Sequence, residues 1–183
     1  MVVSRNCGYG FNETGMTSFA QRVLLTAIIM LSLLIAPVSA MDDIADRVVV
    51  KKSERKLFLI SDEQVIRSYD IALGLVPVGE KVREGDFKTP EGDYLLTNRL
   101  LDSKYFLAIQ VSYPSPGDIQ YARRLGVRPG GQIMIHGQPN EPKYSSAFYE
   151  REDWTNGCIA VSNAAMVEIW QLTKANTPVT IEP

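Results

Sequence analysis

Beyond residue 46 the apolar residues of this chain fall in short, often β-branched runs. Each is cut off by Gly, Pro or a cluster of charge, a punctuation that favours a β-rich domain over long helices. Residues 47–50 (RVVV) and 57–60 (LFLI) flank the polar KKSERK and predict an opening hairpin. Residues 65–73 (VIRSYDIAL) alternate and stop at Gly74, which predicts a third strand. Residues 79–92 are rich in Gly, Pro and charge and predict a long surface loop. Residues 93–97 and 105–111 predict two more strands around a turn at Asp102-Ser103. Gly130-Gly131 then precede the apolar stretch 133–135, which delivers His136 at its end, and 178–181 predicts a closing strand.

Two helices interrupt this pattern. Ser115-Pro116-Gly117-Asp118 has a Ser N-cap, Pro at the first helical position and an acid at the third, so a short helix should run to about Leu125, where Gly126 stops it. After a loop of about twenty residues, Ser162 or Asn163 caps a second helix with Met166, Ile169, Trp170 and Leu172 on one core-facing stripe. No internal repeat, βαβ alternation or Gly-rich phosphate loop occurs. The expected fold is mainly β, a curled mixed sheet or sandwich with two short helices.

The first forty residues read differently. Residues 23–36 form a 14-residue apolar run, preceded by Arg22 and followed by Val38-Ser39-Ala40. This is the layout of a secretory signal peptide cleaved after Ala40. A membrane helix is the competing reading, but 14 residues rise only about 21 Å against a hydrocarbon core of about 30 Å. Residues 1–15 are long for a signal's opening segment, and Met16 would give a start of ordinary length. The expectation is a signal peptide at 1–40 and one exported domain at 41–183, with no stable membrane span after cleavage, in the periplasm of a Gram-negative-type bacterium.

Composition excludes several chemistries. A formal net charge of −2 gives no basic face for nucleic acid. Two Cys cannot make a disulfide framework, and with one His they are poor material for zinc. Cys7 leaves with the leader, so the exported domain keeps one thiol, Cys158, and one imidazole, His136. A useful thiol nucleophile needs a base, and His136 is the one side chain of suitable pKa. Gly157 would let a carbonyl approach, and the backbone N–H groups beside it would serve as an oxyanion hole. Against this stands the plainer reading of each residue, a small buried Cys and a hydrogen-bonded structural His. The 22-residue separation does not by itself bring them together.

Ile135-His136-Gly137, followed by Thr155-Asn156-Gly157-Cys158-Ile159-Ala160-Val161, resembles the signature of the L,D-transpeptidase catalytic (YkuD) domain family. Its members carry an HG motif and then [ST]-x-G-C. The run Gly85-Asp86-Phe87-Lys88-Thr89-Pro90-Glu91-Gly92 resembles the family's GD-x-x-TPEG loop, and the resemblance spans about residues 47–181. It implies a β-rich domain acting on peptidoglycan stem peptides without metal or organic cofactor. Cys158 would be the nucleophile, attacking the third stem residue, expelling D-alanine and forming a thioester. His136 would be the base and acid, the Gly137 carbonyl would orient its ring, and the N–H groups of Gly157 and Cys158 would hold the oxyanion.

An amine from a second stem would then give a 3→3 cross-link. Two departures leave the acceptor open between amine and water: Ala160 stands where many members have Arg, and Asn156 where many cross-linking members have His. A hydrolase of the same fold, either an L,D-carboxypeptidase or an amidase releasing stem-linked groups, is therefore an alternative, and a non-catalytic wall-binding module is a second. Trp154, Asn156, Thr155, Arg151 and Tyr144 are candidate substrate contacts, with loop packing or solvated charge as the competing readings. Arg123, Arg124 and Arg128 are further cations that would suit stem carboxylates. No protein partner is indicated.

Overall fold

In the computed structural model residues 44–183 are described; the expected signal segment, its cleavage point and Met16 lie outside them. Strands β1 (Arg47–Lys51), β2 (Lys56–Ser61) and β3 (Gln64–Asp70) form an antiparallel meander. Strands β4 (Gly92–Ser103), β5 (Phe106–Val111) and β6 (Met134–His136) form a second one. Two short strands complete the sheet, β7 (Ile159–Ala160) and β8 (Pro178–Glu182). The order is β3-β2-β1-β8-β4-β5-β6-β7, so the last strand in sequence joins the two meanders. It runs parallel to β1 and antiparallel to β4, while β6 and β7 are parallel. The chain is thus mainly β with a mixed sheet.

The curl is visible in the hydrogen bonds beyond the strand ends. Ala72, just after β3 at one end of the order, exchanges two 2.8 Å backbone bonds with Ala160 of β7 at the other. Thr155 N–H donates to the Leu73 carbonyl and Leu75 N–H to that of Thr155, each at 3.0 Å. This pairing ends β3 at Asp70, although its alternating pattern runs on to Leu73. Alternate residues of the strands face one core, including Val48, Val50, Leu57, Leu59, Leu96, Ile109, Ile135 and Ile181, all 2% exposed or less.

Among the described residues three helices, not two, accompany the sheet: α1 (Pro116–Arg124), α2 (Ser146–Arg151) and α3 (Asn163–Leu172). The first carries the full capping box, with Ser115 Oγ accepting from Asp118 N–H and the Asp118 carboxylate from Ser115 N–H. The third is capped by Ser162, and its Met166 and Ile169 are wholly buried. The helix α2 corrects the expected structureless loop. Ser145 caps it, but at six residues it is too short for an apolar period to register in sequence. Strand β4 also runs past the expected end at Thr97 to Ser103, so the hairpin turn falls at Lys104-Tyr105. Its pairing with β5 absorbs two register shifts along that length.

Candidate active site

The parallel pair β6/β7 brings the two motifs together. Ile135 lies opposite Ile159 and His136 opposite Ala160. Successive strand residues point to opposite faces, so the isoleucines enter the core and His136 shares a face with Ala160. Cys158 immediately precedes β7, so the same pairing sets it beside the start of β6, where the Met134 N–H reaches its sulfur.

The imidazole is almost fully enclosed, at 3% exposure. Tyr105 covers it at 4.6 Å between ring centroids, and Trp154 meets it edge-on at 5.6 Å. Its Nδ1 lies 2.7 Å from the Gly137 carbonyl oxygen. A carbonyl only accepts, so Nδ1 bears the proton and Nε2 keeps a free lone pair. Burial pushes the imidazolium pKa down to about 4, with the Gly137 hydrogen bond pulling weakly the other way. At neutral pH the ring is therefore uncharged. Gly137 has no room for a side chain: a Cβ would stand 2.5 Å from Asn163 Oδ1, which accepts from Gln138 N–H at 2.8 Å.

The cysteine turn is closed by Thr155, whose Oγ1 donates to the Cys158 carbonyl at 2.8 Å and accepts from Gly157 N–H at 3.1 Å. Of the expected oxyanion pair, the Gly157 N–H therefore already has a partner. Cys158 N–H makes no hydrogen bond among the described residues and is the free donor. Gly157 sits at φ +127°, and a Cβ there would meet the Lys88 carbonyl oxygen at 2.6 Å. That contact seats the turn on the Lys88-Thr89-Pro90 segment. Thr89 is buried and accepts from Gly74 N–H at 3.2 Å, an architectural role.

Cys158 is half-buried, with Sγ 3.7 Å from the Gln132 carbonyl oxygen. Burial raises its pKa, while the Met134 N–H and the charge of Lys81 oppose the rise. The thiol opens on a cleft of about 380 Å³ lined by Asn156, Lys81, Glu84, Phe87, Gln132 and Ile133, among others.

The other expected contacts divide. Trp154 stands against the imidazole and Asn156 lines the cleft, whereas Thr155 is buried as a brace of the turn. Arg151 ends α2 and lines a different cleft, of about 600 Å³, with Arg55, Tyr69 and Glu150. Tyr144 is 60% exposed and stacks on Phe148 at 4.4 Å instead of reaching the thiol. Arg123 and Arg124 close α1 in solvent, and Arg128 pairs with Glu84 at 3.0 Å. Sequence reasoning missed Tyr105 and Lys81. Neither lies near the HG or GC motif in sequence, and only the β4–β5 hairpin and the 79–92 loop carry them there. Among the described residues, no three His, Cys, Asp or Glu side chains gather as a metal-binding group.

Comparison with known proteins points one way. The family model described as the L,D-transpeptidase catalytic domain, YkuD, matches residues 45–181. The Escherichia coli (strain K12) protein named "Putative L,D-transpeptidase YafK" is 33% identical over 126 residues, 66% of this chain and 44% of its own length. The helical cell shape determining protein Pgp2 from Campylobacter jejuni superposes with a TM-score of 0.55 at 27% identity, covering 74% of this chain and 46% of that one. Bdellovibrio bacteriovorus Bd1075 gives 0.52 at 26% identity, over 78% and 50%. The chain spans about half the length of each of these relatives.

Proposed function

The chain belongs to the L,D-transpeptidase catalytic-domain family, and on that premise we propose that it is an exported cysteine acyltransferase acting on peptidoglycan tetrapeptide stems. The observation that carries the reading is the tautomer of His136. Its Nδ1–H is tied to the Gly137 carbonyl, which leaves Nε2 as a base on the strand that pairs with β7, which begins next after Cys158. A backbone carbonyl here does the orienting that a carboxylate does in other nucleophile–His pairs.

The Cys158 Sγ–H bond breaks as its proton passes to His136 Nε2 and Sγ bonds to the carbonyl carbon of the third stem residue. The oxyanion that forms accepts a hydrogen bond from Cys158 N–H. Collapse breaks the peptide bond, the imidazolium gives its proton to the departing D-alanine amine, and a thioester remains. An incoming amine then loses a proton to Nε2 and bonds to the same carbon. Sγ leaves and takes the proton back, giving a 3→3 cross-link or another amide.

A second reading, with water as acceptor, shares the first half-reaction. Ala160 favours it, being 1% exposed and paired with His136 in register, so it sets no cation beside the pair to hold a second acidic stem. The test is to incubate the full chain with disaccharide-tetrapeptides and weigh the products. Dimers lacking one D-alanine are expected from transpeptidation, and tripeptide monomers alone would transfer the assignment to a hydrolase. Cys158→Ala should abolish either. Stem binding without turnover or a covalent carbapenem adduct would overturn both readings in favour of a binding module.

A further inference from the structure

The enzymatic reading leaves one buried charge unused. Lys81 is 5% exposed, its ammonium donating to Asp86 Oδ1 at 2.7 Å and to the Arg83 carbonyl at 3.1 Å. The Asp86 carboxylate also accepts from the N–H groups of Val82, Arg83 and Lys88, which fixes the pair in the 81–88 segment. A buried ion pair of this kind is seldom more stable than an apolar pair of the same volume, so stability alone does not account for it.

Its orientation does. Lys81 lines the cleft onto which Cys158 opens, while Asp86 lines the neighbouring cleft around Val82, Arg83 and Leu125. The cationic partner of the pair, and not the anionic one, lines the cleft of the thiol. Lys81 is the one cation among the described residues lining that cleft. Its anionic neighbour Glu84 pairs with Arg128 at 3.0 Å in solvent, where its field is screened. His136 is uncharged at neutral pH, and the Tyr113 ring 6.0 Å from the Lys81 ammonium carries a phenol whose pKa burial pushes up, so it too is neutral. Nothing else charged lines the cleft to oppose negative charge growing on sulfur.

We propose that Lys81, held by Asp86, is a positioning residue whose ammonium stabilises negative charge on Cys158 Sγ. The inference rests on the acyltransferase reading only for its consequence in turnover; the effect on the thiol exists without it.

Iodoacetamide tests it directly, because only the thiolate displaces iodide. The full chain is alkylated across the thiol titration range, and the peptide bearing Cys158 is quantified by mass spectrometry apart from that bearing Cys7. Lys81→Met should slow alkylation at neutral pH roughly tenfold and move the midpoint up. Lys81→Arg, which keeps the charge, should recover most of the rate. Asp86→Asn removes the opposing charge and should move the midpoint down. A collapse of the loop would shift Lys81→Met and Asp86→Asn the same way, and that outcome overturns the proposal, as does Lys81→Met matching the parent chain or Lys81→Arg as slow as Lys81→Met. A parent chain inert toward stem peptides would refute the enzymatic reading alone, since alkylation does not depend on turnover.

Discussion

Acidification should unfold this domain through its single imidazole. In the folded chain His136 gains a proton only near pH 4, against an ordinary value of 6.5. Between those values the unfolded chain binds a proton that the folded chain refuses, so stability is fully present above pH 6.5 and drains away as pH falls toward 4. Roughly 2.5 pH units at about 1.4 kcal/mol each make about 3.5 kcal/mol, of which about 3 kcal/mol is gone by pH 4. That is a large share of the roughly 5–15 kcal/mol that holds a domain of this kind together. Asp86, whose carboxyl is held low by backbone N–H groups and Lys81, loses its contribution in the same direction as its carboxylate protonates. A control is therefore needed. Urea unfolding of the parent chain and of His136→Asn, at about pH 7 and about pH 4, isolates the imidazole: the parent should lose about 3 kcal/mol more than the variant. As the chain has one His, its ring C–H resonances can be followed by NMR without assignment. A ring that titrates near 6.5 in the folded chain, or a variant that loses as much stability as the parent, would refute the reasoning.

Three further outcomes are expected. Gly157→Ala forces a side chain onto a φ of +127° and to 2.6 Å from the Lys88 carbonyl; it should lose about 2–4 kcal/mol in urea and alter the alkylation rate of Cys158, and a loss under about 1 kcal/mol would show that the turn relaxes freely. Trp154→Ala removes the ring edge against His136 and should raise the NMR midpoint of the imidazole toward 6.5; an unmoved midpoint would exclude Trp154 as a cause of its low value. The Lys52 ammonium donates to the Gly79 and Thr89 carbonyls, each at 3.0 Å, and to the Glu91 carboxylate at 2.7 Å. Lys52→Met strands all three and should lower stability by about 3–5 kcal/mol, whereas a stability equal to the parent's would mean that water replaces the lysine.

Much of the fold was legible because its signals are local. Ser115, Pro116 and Asp118 specify the start of α1 within four residues, and β-branched runs between turn signals mark β1, β2 and β8. The failures share a cause. Strand β7 is two residues long and exists only because Ala72 and His136 flank it. The alternating pattern runs through Leu73, yet its last residues pair across the curl instead of continuing β3. The helix α2 is a six-residue element anchored by Tyr149, whose hydroxyl accepts from Lys143 and Tyr144 N–H.

The same division runs through the site. Residue scarcity and the motifs around His136 and Cys158 singled out one base and one thiol, because those chemistries depend on residue type. Their proximity in the fold followed only from the parallel register of β6 and β7, a pairing between segments 22 residues apart that no local pattern encodes. The charge state of the imidazole, the loss of the Gly157 N–H to Thr155 and the approach of Lys81 to the cleft were likewise decided in three dimensions. Burial and hydrogen-bond partnership depend on neighbours distant in sequence, so the chain determined which groups can react, and the curled sheet determined what surrounds them.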